Sequence, residues 1–189
     1  MSNKASRAEN QQERLIKIGW VVGFVDGEGC FSLGFVKQSS RKEKHRVRKG
    51  YKTGYQVFHE FAVTQGESSL QSLQTLEKFF GVGALYLNTR RDNHKENLYR
   101  YTVRRRDDLF RVIIPFFRKY PLQTTKRKNF ELFAQGMEEI ERGNHLTIKG
   151  LIRIAQITQY MNHKRDKSKL INILRNQTSV KQQRIVVWR

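Results

Sequence analysis

The sequence predicts an α+β fold in the order αββαββα, a four-stranded antiparallel sheet covered by helices, with extra helices toward the C-terminus. Three observations predict it. Apolar residues keep helical spacing up to Val25 and then alternate as Phe31, Leu33 and Phe35, so a helix runs directly into a strand. A second pair of alternating segments follows an amphipathic stretch marked by Leu70, Leu73, Leu76, Phe79 and Phe80. Beyond Asp107 the helical period dominates.

Asn10 with Glu13 forms a capping box, and the helix it opens runs to about Asp26, where Gly27 and Gly29 stop it. Gly19, Gly23 and Gly27 recur every fourth residue and share one face of that helix. An interior glycine costs about 1 kcal/mol of helix propensity relative to alanine. The stripe therefore predicts close packing against a second helix of the same kind, with Gly19, Trp20 and Gly23 at the contact. Strand one covers about Cys30 to Gln38. Ser39 to Thr53 is a basic loop with Arg41, Lys42, Lys44, His45, Arg46, Arg48, Lys49 and Lys52, either a disordered tip or a phosphate-contacting segment.

Strand two spans about Tyr55 to Thr64, and the amphipathic helix after it ends at Gly81. Strands three and four follow at about Ala84 to Arg90 and Leu98 to Arg104, joined through an Asp92-Asn93 turn. Three helices come next: Asp107 to Lys119, kinked or interrupted near Pro115; Thr125 to Arg142, ended by Gly143; and Ile148 to Asn162, with Thr147 as N-cap. In the basic tail only Leu170, Ile171, Ile173 and Leu174 can pack, which predicts a short helix and a disordered end. The organisation is a flexible stretch over 1–9, one domain over 10–163 and a tail over 164–189.

The 37 Lys plus Arg against 17 Asp plus Glu give a formal charge of +20, and the pI of about 10.4 points to a polyanion. Nucleic acid fits better than an anionic membrane, because no strongly amphipathic basic helix with a lipid-facing aromatic edge stands out. The apolar run Ile16 to Val25 is far short of the ~20 residues that span a bilayer, so no membrane is expected. Met1 to Gln12 lacks the apolar centre of a secretory signal, and Glu9 and Glu13 argue against a transit peptide. An intracellular place is expected, in a bacterial cytoplasm or an organelle. Cys30 stands alone, which excludes an intrachain disulfide and a cysteine-rich zinc site; a small half-buried strand residue is its expected role. His45, His59, His94, His145 and His163 lack ligand spacing, and Asp26-Gly27-Glu28-Gly29 does not fit a calcium loop.

Alternation puts Phe31, Leu33 and Phe35 on a core face of strand one, with Ser32, Gly34, Val36 and Gln38 opposite. On strand two, Val57, His59, Phe61 and Val63 face one way and Gln56, Phe58, Glu60, Ala62 and Thr64 the other. On strand four, Tyr101 and Val103 oppose Arg100, Thr102 and Arg104. One face is thus helix-covered. The other mixes amides, hydroxyls and arginines suited to base edges and phosphates, or it is simply a solvated sheet face. At the helix end, Glu28 adds a carboxylate where the helix exposes unpaired carbonyls, a set of hard oxygens suited to Mg²⁺, with Mn²⁺ as a substitute. Asp26 is expected to hydrogen-bond within its own turn, with metal ligation as the alternative.

The stretch Val21 to Gly29, VVGFVDGEG, resembles the signature helix of the LAGLIDADG homing endonucleases. Further family-like pieces are Phe61-Ala62-Val63-Thr64-Gln65, Phe80-Gly81-Val82-Gly83, Ile114-Pro115-Phe116-Phe117 through Tyr120-Pro121-Leu122, Lys126 to Phe130, and His145-Leu146-Thr147 with Gly150-Leu151. The resemblance covers about Asn10 to Asn162. Val22 stands where the family has a small residue, and Glu28 where aspartate is commoner. The resemblance implies that the polar face is a saddle lying in the major groove of double-stranded DNA. It implies Glu28 as the metal-binding acid, assisted by the Gly27 carbonyl, Gln65 as a residue ordering water, and Lys126 near the scissile phosphate, with Lys128 as its competitor.

The side chains expected at DNA are Ser32 and Gln38 on strand one and Gln56 and Thr64 on strand two. Strand three adds Tyr86, Asn88 and Arg90, strand four Arg100, Thr102 and Arg104, and the loop Arg41, Lys42, Lys44, Arg46, Arg48 and Lys49. With one motif per chain, a homodimer is expected to cut a long pseudo-palindromic site in a metal-dependent double-strand break with 3′ overhangs. The second reading is an intron maturase that binds intron RNA without cutting DNA.

Overall fold

The computed structural model describes residues 2–38, 40–42, 44–89, 96–162 and 166–186, with side chains from residue 9 to residue 177 except those of Arg41 and Lys42. Arg90 and the Asp92-Asn93 turn lie outside the described residues. The elements in order are α1 (Ser2–Glu28), β1 (Gly29–Lys37), β2 (Arg41–Lys42), β3 (Val47–Arg48), β4 (Tyr55–Gly66), α2 (Leu70–Phe80), β5 (Ala84–Asn88) and β6 (Leu98–Val103). They continue with α3 (Arg106–Asp108), a π-turn over Leu109–Ile113, α4 (Ile114–Lys119), α5 (Lys126–Glu141), α6 (Ile148–Thr158) and α7 (Ser168–Val186). The main sheet has the order β1-β4-β6-β5, and β6 pairs antiparallel with both β4 and β5. The α+β class and the αββαββα order are those expected.

Two compact units divide the chain, Met1–Phe31 with Glu60–Arg127 and Ser32–His59 with Lys128–Arg189. The first is built on rings. Phe31 stacks on Phe61 at 5.1 Å between centroids, and Phe117 meets both edge-on at 5.6 and 5.8 Å. Such pairs add about 0.5–1.5 kcal/mol each beyond the area they bury. Ile18, Val21 and Val25 carry one face of α1 into this core. In the second unit Phe130, Phe133 and Met137 of α5 are buried with Leu151 and Ile154 of α6, and α7 packs against α6 through Ile171 and Leu174.

Several boundaries differ from expectation, each for a local reason. Helix α1 begins at Ser2, so Asn10 is not its cap. Residues 2–10 contain neither glycine nor proline, and nothing interrupts propagation there. At the other end α1 continues through Gly27 to Glu28 and stops at Gly29. A Cβ on Gly29 would lie 2.7 Å from the Val25 carbonyl oxygen, so only glycine fits this helix-to-strand junction. The basic loop is not a bare tip: Arg41 pairs with Arg48 and Lys42 with Val47 in a small antiparallel hairpin.

The helix before Pro115 widens into the π-turn, because proline supplies no N–H for a regular bond one turn back. Helix α6 stops at Thr158, ahead of Asn162, whose φ of 48° is left-handed. The tail forms the nineteen-residue α7 where a short helix was expected. Gly81, at φ 65°, caps α2, and the Thr147 hydroxyl accepts the Gly150 N–H at 3.0 Å, as their sequence positions predict. Cys30 is exposed, not half-buried. Among the described residues no helix is long and apolar enough to cross a membrane.

Candidate functional site

The first unit places the end of α1 beside the segment that leads into α5. Lys126 Nζ donates to the Gly27 carbonyl at 2.9 Å and to the Val25 carbonyl at 3.2 Å, occupying the unpaired oxygens that every helix leaves at its C-terminus. Lysine 126, not its competitor Lys128, makes these bonds. Glu28 is exposed at the same helix end and makes no hydrogen bond or ion pair among the described residues. Burial pushes the Lys126 ammonium below its ordinary value, and the charges of Asp26, Cys30 and Glu28 push it part of the way back.

Asp26 does not bond within its own turn. Its carboxylate accepts the Gln123 N–H at 2.8 Å, the Thr124 N–H at 3.0 Å and the Thr124 hydroxyl at 2.6 Å. This clasp ties the helix end to a segment 97–98 residues away and so fixes where Lys126 enters. Burial pushes the Asp26 carboxyl up, but the Thr124 hydroxyl, the Gln123 and Thr124 amides and Lys126 outweigh it and hold it below 3.8. A depressed carboxyl contributes stability that is fully present above its unfolded value and lost as pH falls through the folded one.

Asp26→Asn is therefore expected to be less stable than wild type at pH 7 by about 1 kcal/mol, or roughly 2–4 °C in melting temperature. The difference should close as pH falls below 3.8. Thermal melts of both proteins across that range measure it, and a gap that stays constant would remove the clasp from the account.

Among the described residues no three His, Cys, Asp or Glu side chains cluster as a metal cage. The donors present are the Glu28 carboxylate and the Gly27 carbonyl, whose second lone pair remains when Lys126 takes the first. Mg²⁺ keeps several waters and is held by one or two carboxylates plus substrate phosphates, so these hard oxygens fit an ion whose shell the substrate completes. Gln65 is half-buried near the end of β4, opposite Tyr99, and its side chain makes no hydrogen bond among the described residues. It lies on the face of Phe61 and Val63, and among the described residues no hydrogen bond joins it to Glu28 or Lys126.

The polar face in the first unit is a lattice of cross-strand rows, Ala62–Thr102–Ala84 and Thr64–Arg100–Tyr86, followed by Gly66–Leu98–Asn88. Tyr86 is 53% exposed and Asn88 is exposed. Thr102 departs from expectation: between Ala62 and Ala84 in its row it is 3% exposed, so its hydroxyl is not offered at the surface. Arg100 and Arg104 are not independent contacts either, because both bind the buried carboxylate of Glu60. Sequence alternation put Glu60 on this face, but only the strand register assigns it those partners.

In the second unit Gln38 Nε2 donates to Gln56 Oε1 at 3.2 Å, and Ser32 is half-buried. Lys44, Arg46, Arg48 and Lys49 are exposed around the hairpin. On α1, Gly19 and Gly23 are exposed with nothing within 4 Å of a Cβ built on either, and Trp20 is 39% exposed, stacked on Phe24 at 5.1 Å.

The profile of the LAGLIDADG endonuclease family matches residues 21–137. "Probable intron-encoded endonuclease 3" of Neurospora crassa is 30% identical over 145 residues, 76% of this chain and 24% of that protein. The "Uncharacterized 50.9 kDa protein in ND4 intron 1" of Podospora anserina is 32% identical over 130 residues, 68% of this chain and 25% of that protein. The chain thus spans about a quarter of the length of these curated relatives. Among solved structures, the homing endonuclease I-TnaI is 36% identical with a TM-score of 0.64, over 86% of this chain and 95% of that one. The I-LtrWI LAGLIDADG homing endonuclease bound to target DNA is 29% identical with a TM-score of 0.68, over 80% of this chain and 46% of that one.

Proposed function

We propose that this chain, which belongs to the LAGLIDADG endonuclease family, is a site-specific DNA endonuclease of the homing type that works as a homodimer and makes a metal-dependent double-strand break with 3′ overhangs. The observation that carries the reading is the end of α1, where the Lys126 ammonium donates to the Gly27 and Val25 carbonyls and the adjoining Glu28 carboxylate is exposed. Glu28 and the Gly27 carbonyl would hold Mg²⁺. A bound Mg²⁺ supplies Lewis-acid activation of water and stabilises the leaving 3′ oxygen. Lys126 places a positive charge where the scissile phosphate gathers negative charge, and Asp26 keeps that ammonium in place. Gln65 is assigned the ordering of water at this site.

Homodimerisation is supported by the open glycine stripe and by the exposed Leu15, Ile16 and Trp20 beside it. Affinity comes from the charge of +20, concentrated in part around the hairpin, and sequence preference from the sheet face.

The test is incubation of the purified chain with a plasmid library and Mg²⁺, followed by mapping of breaks and footprinting. Strand β1 is nine residues long. At ~3.3 Å per residue it spans roughly 30 Å, so two copies cover about 60–70 Å, or roughly 18–22 base pairs at ~3.4 Å each. The expected result is cutting at an approximately palindromic site of that length, since identical chains read its two halves. Binding to intron RNA without DNA cleavage would replace this reading with the maturase one, and a footprint near ten base pairs would remove the homodimer.

A further inference from the structure

A chain of charge +20 buries a carboxylate between two arginines of its sheet face. Glu60 is 1% exposed. It stands on β4 at the continuation of the ladder that pairs Phe61 with Val103, so Arg104 is its cross-strand neighbour. One carboxylate oxygen accepts Arg104 Nε at 2.6 Å, and the other accepts Arg100 Nη2. The Arg100 head also donates from Nη1 to the Thr64 hydroxyl at 3.4 Å, and the Arg104 head lies 5.9 Å from the centre of the Tyr86 ring. Both heads are held at more than one point. Their side chains nevertheless remain 39% and 56% exposed.

For attraction to phosphate alone this acid is counterproductive, since it cancels one positive charge and its burial is unfavourable unless fully paired. What it supplies is orientation. An arginine that swings freely settles on phosphates and carries no sequence information, whereas a fixed fork can meet the O6 and N7 acceptors of guanine in the major groove.

We propose that Glu60 is a specificity-determining positioning residue, which holds the Arg100 and Arg104 guanidiniums in the orientation that reads guanine edges and keeps them from relaxing onto the phosphate backbone. The proposal rests on the reading of the chain as a DNA endonuclease whose sheet face meets the bases.

Wild type, Glu60→Gln and Glu60→Asp would be compared as the full chain. Each is used to select duplexes from a random library, and the best and a scrambled duplex are then bound over a range of salt concentrations, with melting temperatures in parallel. Wild type is expected to select guanine at discrete symmetric positions. In Glu60→Gln the preference for the best over the scrambled duplex should fall by about tenfold or more, chiefly because scrambled DNA binds more tightly, with the salt dependence steeper by about one ion. Glu60→Asp keeps the charge but shortens the reach, so guanine preference should fall with the salt dependence unchanged.

Wild-type selectivity in Glu60→Gln would overturn the proposal. So would an equal loss of affinity for both duplexes with a lowered melting temperature, or failure of both variants to fold, since either makes Glu60 a sheet-stabilising group. A wild-type chain that selects no sequence at all would instead overturn the endonuclease reading from which the proposal starts.

Discussion

Glu28→Gln is expected to lower DNA cleavage by about a thousandfold or more while duplex binding stays equal or becomes tighter. The substitution is nearly isosteric at an exposed position whose carboxylate bonds to nothing among the described residues, so the fold should be unaffected. On the proposed reading it removes the metal-ligating charge beside the Gly27 carbonyl and a negative charge that would face phosphates. A second effect acts on Lys126, which loses one of the three groups that offset its burial and so moves further below its ordinary value. Cleavage time courses with Mg²⁺, set against gel-shift binding without it, measure the two quantities separately. Cutting at the wild-type rate would remove Glu28 from the site and with it the assignment of the Gly27 carbonyl.

Much of this site could be read in the sequence because it lies at a junction of two periods. Helical spacing that changes to alternation within a few residues fixes where α1 meets β1, and the acids at that point then sit at a helix terminus by necessity. Local chemistry also foretold the caps at Gly81 and Thr147. The Asp26 clasp was not legible, since its partners are 97–98 residues away and nothing near Asp26 distinguishes a bond to Thr124 from one within its own turn.

The Glu60 pairing was hidden for a related reason. Alternation assigns a face to each strand residue, but the register of β4 against β6 is set by packing of the aromatic core beneath, and a slip of one residue would reverse the faces. The start of α1 departs from the Asn10 cap because a capping pair is also compatible with the middle of a helix when the preceding residues favour one.

Gly23→Leu is expected to leave the single chain at least as stable as wild type and to abolish both the homodimer and cleavage. A Cβ at position 23 meets no atom within 4 Å, and the site lies in the exposed interior of α1, so within one chain the change only removes a poor helix former, worth up to about 1 kcal/mol. Any defect must then arise between chains. Leu15, Gly19, Gly23 and Gly27 form one line along the helix, with Ile16 and Trp20 on the next, and Leu15 and Ile16 are 57% and 65% exposed.

Glycines facing each other let two such helices approach at the short end of the usual axis separation of about 8–10 Å, or closer. In the proposed homodimer a leucine near the two-fold axis would enter the contact twice and drive the helices apart. Because Glu28 ends the same helix, separating the helices also separates the two carboxylates, and cleavage should be lost with the dimer. Sedimentation of the variant should give monomer, and its melting temperature should equal or exceed that of wild type at matched, low concentration. A dimeric and fully active variant would move the interface away from this stripe, while a lowered melting temperature in the monomer would show that Gly23 packs within its own chain.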